Sequence, residues 1–282
     1  MKKRFYKIPN LFLLGNNELP KVSIFTFLVK SRTGMILHPM YVVALLNDLF
    51  GIQSRAGCQC ASIYGQNILG IDMEYSRKLK ESLMAGNELM RIGFTRINFN
   101  YFLKDEEIDY ICDAVEFLCN YGWMMLPHYK LDKDLGYWKN RDEQETTKHR
   151  SWLGEIDYSS GKMKYLKSTD ETVRSHLPFY INKDRKGMHP LSYYTELAKQ
   201  HLVEAVIGYK SIYGKSNVDQ RAALIGEEYH NLVWFLFPSQ VLKEILEINA
   251  NCFEDLKKYN EQHPVLEEWS MPFTPRDFTR MH

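Results

Sequence analysis

The sequence is poor in cysteine, has no surplus of either charge, and contains no long apolar run. Five cysteines at irregular spacing in 282 residues do not make a disulfide framework, which predicts a reducing, cytoplasmic setting. The formal net charge of +1 means that the chain has no basic excess for binding nucleic acid. No segment approaches the roughly 18 uncharged apolar residues of a membrane span, and the basic N-terminus lacks the apolar segment of a signal peptide.

Several functional motifs are also missing. The chain has no glycine-rich nucleotide fingerprint, no P-loop and no serine nucleophile elbow, which argues against the enzyme classes built on them. Its nine histidines show no metal-ligand spacing. Hydrophobic residues make up 45% of the chain, enough for a buried core in one or two domains.

The first half of the chain predicts an α/β layer from about Leu11 to Pro127. Val22–Lys30 is rich in β-branched and aromatic residues, and Leu89–Phe102 has the pattern of a strand pair or one long strand. We expect both segments in one small sheet, covered on one side by helices over Pro39–Phe50 and Asp105–Cys119.

The ends of these helices have recognisable signals. His38 stands at an N-cap position before Pro39, and Gly51 ends the apolar helix. In the Asp105–Cys119 helix, the apolar positions repeat with a helical period: Ile108, Ile111, Cys112, Val115, Leu118 and Cys119. The two cysteines of this face are therefore predicted to be core residues. Tyr75–Glu88 has the pattern of an exposed, charged helix.

From about Leu135 the composition becomes polar, which predicts a linker or long loop up to His149 and a domain boundary there, with domains at 1–141 and 142–282. The second half first predicts a hairpin over Trp152–Leu166, turning at Ser159–Gly161, and then an irregular segment over Lys167–Pro190. A helix over Leu191–Tyr213 and a short buried strand over Leu232–Phe237 are predicted next. The chain is predicted to end with a last helix from Ser239 towards Tyr259 and a loose or docked tail over Pro264–His282.

The stretch Gly51–Gly65 carries the chemistry. A short β-type run over Ile52–Ser54 leads Arg55 and two cysteines, Cys58 and Cys60, into a loop. A guanidinium offers a planar, permanently charged fork for a carboxylate, and a nearby positive charge lowers the pKa of a thiol. This combination indicates a place where an acidic group is held beside sulfur.

The pattern Arg55-x-Gly57-x-x-Cys60-Ala61, with the flanking segments Leu37–Ile52 and Arg96–Phe102, resembles the cysteine-bearing loop of class V pyridoxal-phosphate enzymes. These are the cysteine desulfurases, selenocysteine lyases and related aminotransferases. The resemblance is most specific over Leu11–Arg141. It implies the small C-terminal domain of the fold-type-I kind, followed by an α+β extension, and pyridoxal 5'-phosphate as the cofactor of the intact enzyme.

The resemblance also implies roles for single residues. Cys60 matches the sulfur-accepting cysteine, Arg96 matches the arginine that binds the substrate α-carboxylate, and Arg55 matches an arginine beside the same pocket. Arg91 takes the place of Arg96 only if the register slips. Cys58 stands where desulfurases often carry histidine, a departure that removes a proton carrier. The residues themselves allow other interpretations. Cys60 could be a buried small thiol, and the arginines could be surface charges at strand ends. Cys58 and Cys60 form a Cys-x-Cys pair that could bind a metal, but no second pair stands at ligand spacing.

In this family the Schiff-base lysine follows a histidine in the large N-terminal domain, and the chain contains no His-Lys dipeptide. We therefore expect a C-terminal portion without the large domain, with no covalently bound cofactor and with exposed lysines of ordinary pKa, about 10.4. The expected partners are an amino-acid substrate in the intact enzyme and a large domain or a second copy, with no nucleic acid and no membrane. The alternative is a non-catalytic binding or scaffold module. Both sulfur transfer and transamination remain open.

Overall fold

The computed structural model describes residues 1–16, 18–58, 60–141, 156–162, 164–165, 190–213 and 224–277. The helices are α1 (Lys2–Phe5), α2 (Pro39–Phe50), α3 (Ser62–Ile68), α4 (Met73–Met84), α5 (Asp105–Tyr121), α6 (Pro190–Tyr213), α7 (Pro238–Glu247) and α8 (Phe253–Gln262). The strands are β1 (Leu11–Leu13), β2 (Ile24–Val29), β3 (Arg55–Gly57), β4 (Phe94–Asn98), β5 (Tyr129–Asp132), β6 (Tyr137–Asn140), β7 (Ile156–Asp157) and β8 (Lys164–Tyr165). Short 3-10 segments span Glu88–Met90, Gly122–His128 and Glu227–Leu232.

The main sheet has four strands in the order β1-β2-β4-β3, and each neighbouring pair is antiparallel. Phe25 pairs with Ile97, so the two segments predicted to share a sheet do so. The strand within Leu89–Phe102 is shorter than predicted because residues 88–90 form a 3-10 turn. The short strand beside the cysteines is Arg55–Gly57, and the prediction of β structure over Ile52–Ser54 was wrong.

Helix α2 is the central element of the core. It packs against β3 and β4 of the sheet and against α5 and α6. Its ends are as predicted: His38 Nδ1 accepts a hydrogen bond from the Met40 backbone N–H at 3.1 Å, and Gly51 adopts a left-handed φ of 64° at the C-cap. This position confirms the mixed α/β layer with α2 against the sheet, although the sheet is antiparallel throughout.

Helix α5 confirms the predicted periodic face. Cys112 and Cys119 are buried, at 1% and 2% exposure, and are therefore core residues. The helix begins at Asp105, and the backbone N–H of Lys104 donates to Glu107 Oε2 at 2.8 Å, which closes its first turn. Within the described residues no helix is long and apolar enough to cross a membrane.

From Tyr129 onwards the structure differs from the prediction in three places. A hairpin of β5 and β6, turning at Gly136 with φ 67°, lies where the polar linker was expected to begin. Residues 232–237 are buried but form only an isolated bridge between Phe235 and Ile36, because Leu232 ends a 3-10 segment and a helix begins at Pro238. The predicted last helix is two helices, α7 and α8, separated by an extended break at Ile248.

Other predictions for this part of the chain are confirmed where residues are described. Helix α6 spans Pro190–Tyr213, and β7 pairs with β8 around a turn in which Gly161 N–H donates to Tyr158 O at 2.8 Å. The tail is docked up to residue 277: Arg276 N–H, for example, donates to Ile68 O at 2.9 Å. The predicted linker and irregular segment lie largely outside the described residues, at 142–155 and 166–189.

One apolar cluster contains buried residues from both sides of position 141, among them Trp138 and Trp234. Both side chains pack beside His38, with ring centroids 5.9 and 5.1 Å from its ring. The core therefore crosses the predicted boundary. The division into domains at 1–141 and 142–282 stays a prediction.

Candidate functional site

The cysteine loop leaves β3 in a tight turn. The backbone carbonyl of Cys58 accepts a hydrogen bond from Ala61 N–H at 2.9 Å, and Cys60 lies inside the turn with a φ of 64°. Within the described ranges Cys60 is the one residue other than glycine with a positive φ. A residue with a Cβ pays about 1–2 kcal/mol for this conformation. Such strain is concentrated at functional sites in proteins, which makes Cys60 a candidate on geometry as well as on motif.

Two glycines allow the loop to lie where it does. A Cβ on Gly93 would lie 2.5 Å from the Gly57 Cα, closer than real contacts permit. Gly57 itself has a φ of 101°, in the region that favours glycine. The backbone of β3 therefore approaches the segment before β4 more closely than side chains would permit, and this contact positions the cysteines that follow.

The two cysteines have different environments. Cys58 is half-buried, and its Sγ donates a hydrogen bond to the Ile92 carbonyl oxygen at 3.3 Å. Burial raises the pKa of the Cys58 thiol, and the positive charge of Arg91 opposes that shift only in part. Cys60 is exposed, and neither cysteine is in a disulfide.

The two predicted substrate arginines are brought together by the sheet. Arg55 on β3 and Arg96 on β4 are directly opposed partners, and Thr26 of β2 continues the row across the next strand. Directly opposed residues share one face of a sheet, with Cα atoms about 4.5–5.5 Å apart. Arg55 is exposed and Arg96 half-buried, and neither forms an ion pair with any residue that the structure describes.

A cleft of about 1050 Å³ lies beside the loop, between α3 and α4. We call it the α3–α4 cleft; its lining residues are Cys58, Cys60, Ser62, Gln66, Met73, Glu74, Ser76, Arg77, Leu79, Lys80, Leu83, Arg91 and Ile92. Both cysteines line this cleft, whereas Arg55 and Arg96 do not. The arginine that shares the cleft with the thiols is Arg91, which the sequence offered only as an alternative.

Sequence reasoning missed the contribution of α4. That segment has the pattern of an exposed, charged helix, yet Tyr75, Leu79 and Ser82 are buried. Its positions 73, 76, 77 and 80 follow a helical period, and all four line the cleft. This spacing indicates that the four residues share one helix face, but it does not indicate which element lies across the cleft from them.

One of the lysines that the structure describes is buried. The prediction that the lysines are exposed was wrong for Lys30, which is buried at 7% exposure. Burial lowers its pKa, but its Nζ donates to Glu267 O at 2.5 Å and lies over the Trp269 ring. This amine is therefore already engaged and is not available for a Schiff base. The described part of the chain also contains no cluster of three or more metal-ligating side chains.

Comparison of the chain with protein-family models, with curated proteins and with solved structures finds no match. The family resemblance therefore rests on the motif around Cys60 and its flanks alone.

Proposed function

We propose that this chain is the C-terminal portion of a class V pyridoxal-phosphate enzyme acting on an amino-acid substrate. In this proposal Arg55 and Arg96 bind the substrate carboxylate and Cys60 accepts a sulfur atom. The Schiff-base lysine and the cofactor are assigned to the large domain of the family. No step through the cofactor is assigned to residues of this chain.

The pairing of Arg55 with Arg96 carries the proposal. Like charges placed directly opposite one another destabilise a sheet, and this pair lacks a carboxylate among the described residues. Two neighbouring guanidiniums can bind one carboxylate with charge-assisted hydrogen bonds, which would remove the repulsion. The exposed thiol of Cys60 follows Arg55 by five residues and provides the nucleophile.

The test compares two sulfur donors that differ in one carboxylate. Cysteine persulfide carries it and cysteamine persulfide does not. A thiolate attacks the outer sulfur of the donor, becomes a persulfide, and releases the donor as a thiol. We expect Cys60 to gain the sulfur, and Arg55→Gln and Arg96→Gln each to slow transfer from cysteine persulfide about tenfold. Transfer from cysteamine persulfide should be unaffected, and intact-mass and peptide analysis measure both.

The matched control is the pair Lys130 and Lys139, which are also directly opposed on neighbouring strands, in the β5–β6 hairpin. The double variant Lys130→Gln/Lys139→Gln removes two charges of the same geometry and should leave both donors unchanged. Equal effects of the arginine variants on both donors would contradict carboxylate binding. Sulfur transfer with no preference between the two donors or among the cysteines would favour the alternative, a non-catalytic binding or scaffold module.

A further inference from the structure

We propose that the α3–α4 cleft is a binding site for an organic anion, a molecule with a carboxylate, sulfonate or phosphate attached to an apolar group. The cleft volume of about 1050 Å³ is at the upper end of the range for small-molecule sites. This inference does not rest on the proposed enzyme function, since neither Arg55 nor Arg96 lines the cleft.

The charges of the cleft favour an anion. Arg77 and Lys80 lie three residues apart on α4, so they are neighbours on one helix face. Neither forms an ion pair within the part of the chain that the structure describes. Adjacent like charges destabilise a helix unless a counter-charge lies near them. An anionic group bound between them would supply that counter-charge.

The acidic residue of the cleft lining already has cationic partners: Lys78 first, and Arg77 to a smaller extent, lower the pKa of Glu74. Glu74, the one carboxylate among the lining residues, binds Lys78 with Nζ 2.7 Å from Oε1. Arg91 adds a third cation and is held by Glu88, whose Oε2 accepts from Nε at 3.0 Å and from Nη2 at 2.6 Å. With Glu74 as the one carboxylate, the three cations Arg77, Lys80 and Arg91 give the cleft lining a net positive charge.

Neutral donors are present as well. Ser76 Oγ donates to Gln66 Oε1 at 2.8 Å, and both residues line the cleft. This bond uses the amide oxygen of Gln66 and leaves its amide nitrogen as a donor for a bound anion. The hydroxyl of Ser62 lines the same cleft. Charged and neutral donors together suit an oxyanion with several acceptor oxygens.

The walls indicate that the anion carries an apolar part. Leu79 is buried at 2% exposure, and Leu83 and Ile92 lie beside it in the lining. Met73, at 86% exposure, lines the cleft and would lose water contact when a ligand covers it. An inorganic anion would leave these apolar surfaces in water, whereas an organic anion would bury them.

The experiment compares two dyes that share an apolar frame. Anilinonaphthalene sulfonate carries a sulfonate, and N-phenylnaphthylamine is its neutral counterpart. Titration of the full chain, followed by dye fluorescence, should show tighter binding of the sulfonate. The double variant Arg77→Gln/Lys80→Gln should weaken its binding about tenfold and leave the neutral dye unchanged. A bound sulfonate should also slow the alkylation of Cys60, which lines the same cleft.

The matched control is Lys257→Gln/Lys258→Gln, which removes two exposed lysine charges from α8, outside the cleft. It should bind the sulfonate as the unmodified chain does, and circular dichroism should show both variants folded. Equal affinity for the two dyes would overturn the proposal. The proposal would also be overturned if both double variants lost the same affinity for the sulfonate dye. The same would hold if Cys60 were alkylated at an unchanged rate in the presence of saturating dye. None of these outcomes depends on the persulfide experiment, so the two proposals fail separately.

Discussion

The thiol of Cys58 donates a hydrogen bond to the backbone carbonyl oxygen of Ile92, with Sγ 3.3 Å from the oxygen. A thiolate cannot donate that bond, and burial raises the pKa of this thiol further. Cys60, two residues on, is exposed. The two cysteines of the loop therefore differ in access, and the Cys58 thiol is held by a hydrogen bond, although both line one cleft.

We expect Cys60 to be alkylated faster than Cys58 when the folded chain meets iodoacetamide at neutral pH. Only the thiolate reacts, and Cys58 is held as a thiol. Peptide mapping by mass spectrometry measures both rates. The buried Cys112 and Cys119 should stay unlabelled until the chain unfolds, which provides the internal control. Faster labelling of Cys58 would show that the arrangement of the loop is different in solution.

The left-handed backbone at Cys60 predicts different stabilities for two small substitutions. Both Cys60→Gly and Cys60→Ala remove the thiol, but only glycine removes the Cβ that is strained at a φ of 64°. The glycine variant should have the larger free energy of unfolding, by about 1 kcal/mol. Urea denaturation of the two variants measures the difference. An alanine variant that is equally stable would mean that Cys60 leaves this conformation at no cost.

The close approach of Gly57 and Gly93 predicts a large effect of one methyl group. In Gly93→Ala the new Cβ would lie 2.5 Å from the Gly57 Cα, so the backbone must shift, and we expect a loss of about 1–3 kcal/mol in stability. Gly208→Ala on α6 is the control, because its Cβ meets no atom within 4 Å. That substitution should stabilise the chain by about 0.5–1 kcal/mol. Thermal and urea unfolding measure both, and a neutral Gly93→Ala would contradict the packing.

Buried His38 predicts that stability falls in acid. Burial lowers its pKa to about 3, below the roughly 6.5 of an unfolded chain. Between these values the unfolded state binds a proton that the folded state does not, so stability is complete above pH ~6.5 and falls by about 1.4 kcal/mol per pH unit below it.

Asparagine can cap α2 but does not titrate, so His38→Asn should lose about 2 kcal/mol less than the unmodified chain between pH 7 and 5. Urea unfolding at both pH values tests this. All other titrating groups are common to the two proteins and cancel in the comparison. If the two proteins lost equal stability between pH 7 and 5, His38 would not be the cause of the acid sensitivity.

We also expect no stoichiometric pyridoxyl adduct after the chain is incubated with pyridoxal phosphate and reduced with borohydride. Lys21 and Lys30 have lowered pKa values, caused first by burial, and are the amines most able to react among the described lysines. Lys30 is held by Glu267 O, so any trace labelling should favour Lys21. Mass spectrometry of the reduced protein measures the adduct. One fully modified lysine would show that this chain forms the Schiff base itself.

Much of the fold could be predicted from the sequence because its signals are local. The cap at His38, the left-handed end at Gly51 and the buried face of α5 each depend on residues within a few positions of one another. The β5–β6 hairpin was missed because its exposed side chains have the composition of a linker. The break between α7 and α8 was missed because no proline or glycine marks Ile248.

The sequence by itself determined which chemistry is available: Arg55 and two cysteines in one loop, Arg96 on a strand, and a charged helix between them. The tertiary structure alone decided their grouping. Strand register placed Arg55 opposite Arg96, while the packing of α4 placed Cys60 with Arg77 and Lys80. The pKa of a thiol and the shape of a cleft depend on atoms that folding brings together. The carbonyl of Ile92, 34 residues from Cys58, is such an atom, and no local pattern encodes its position.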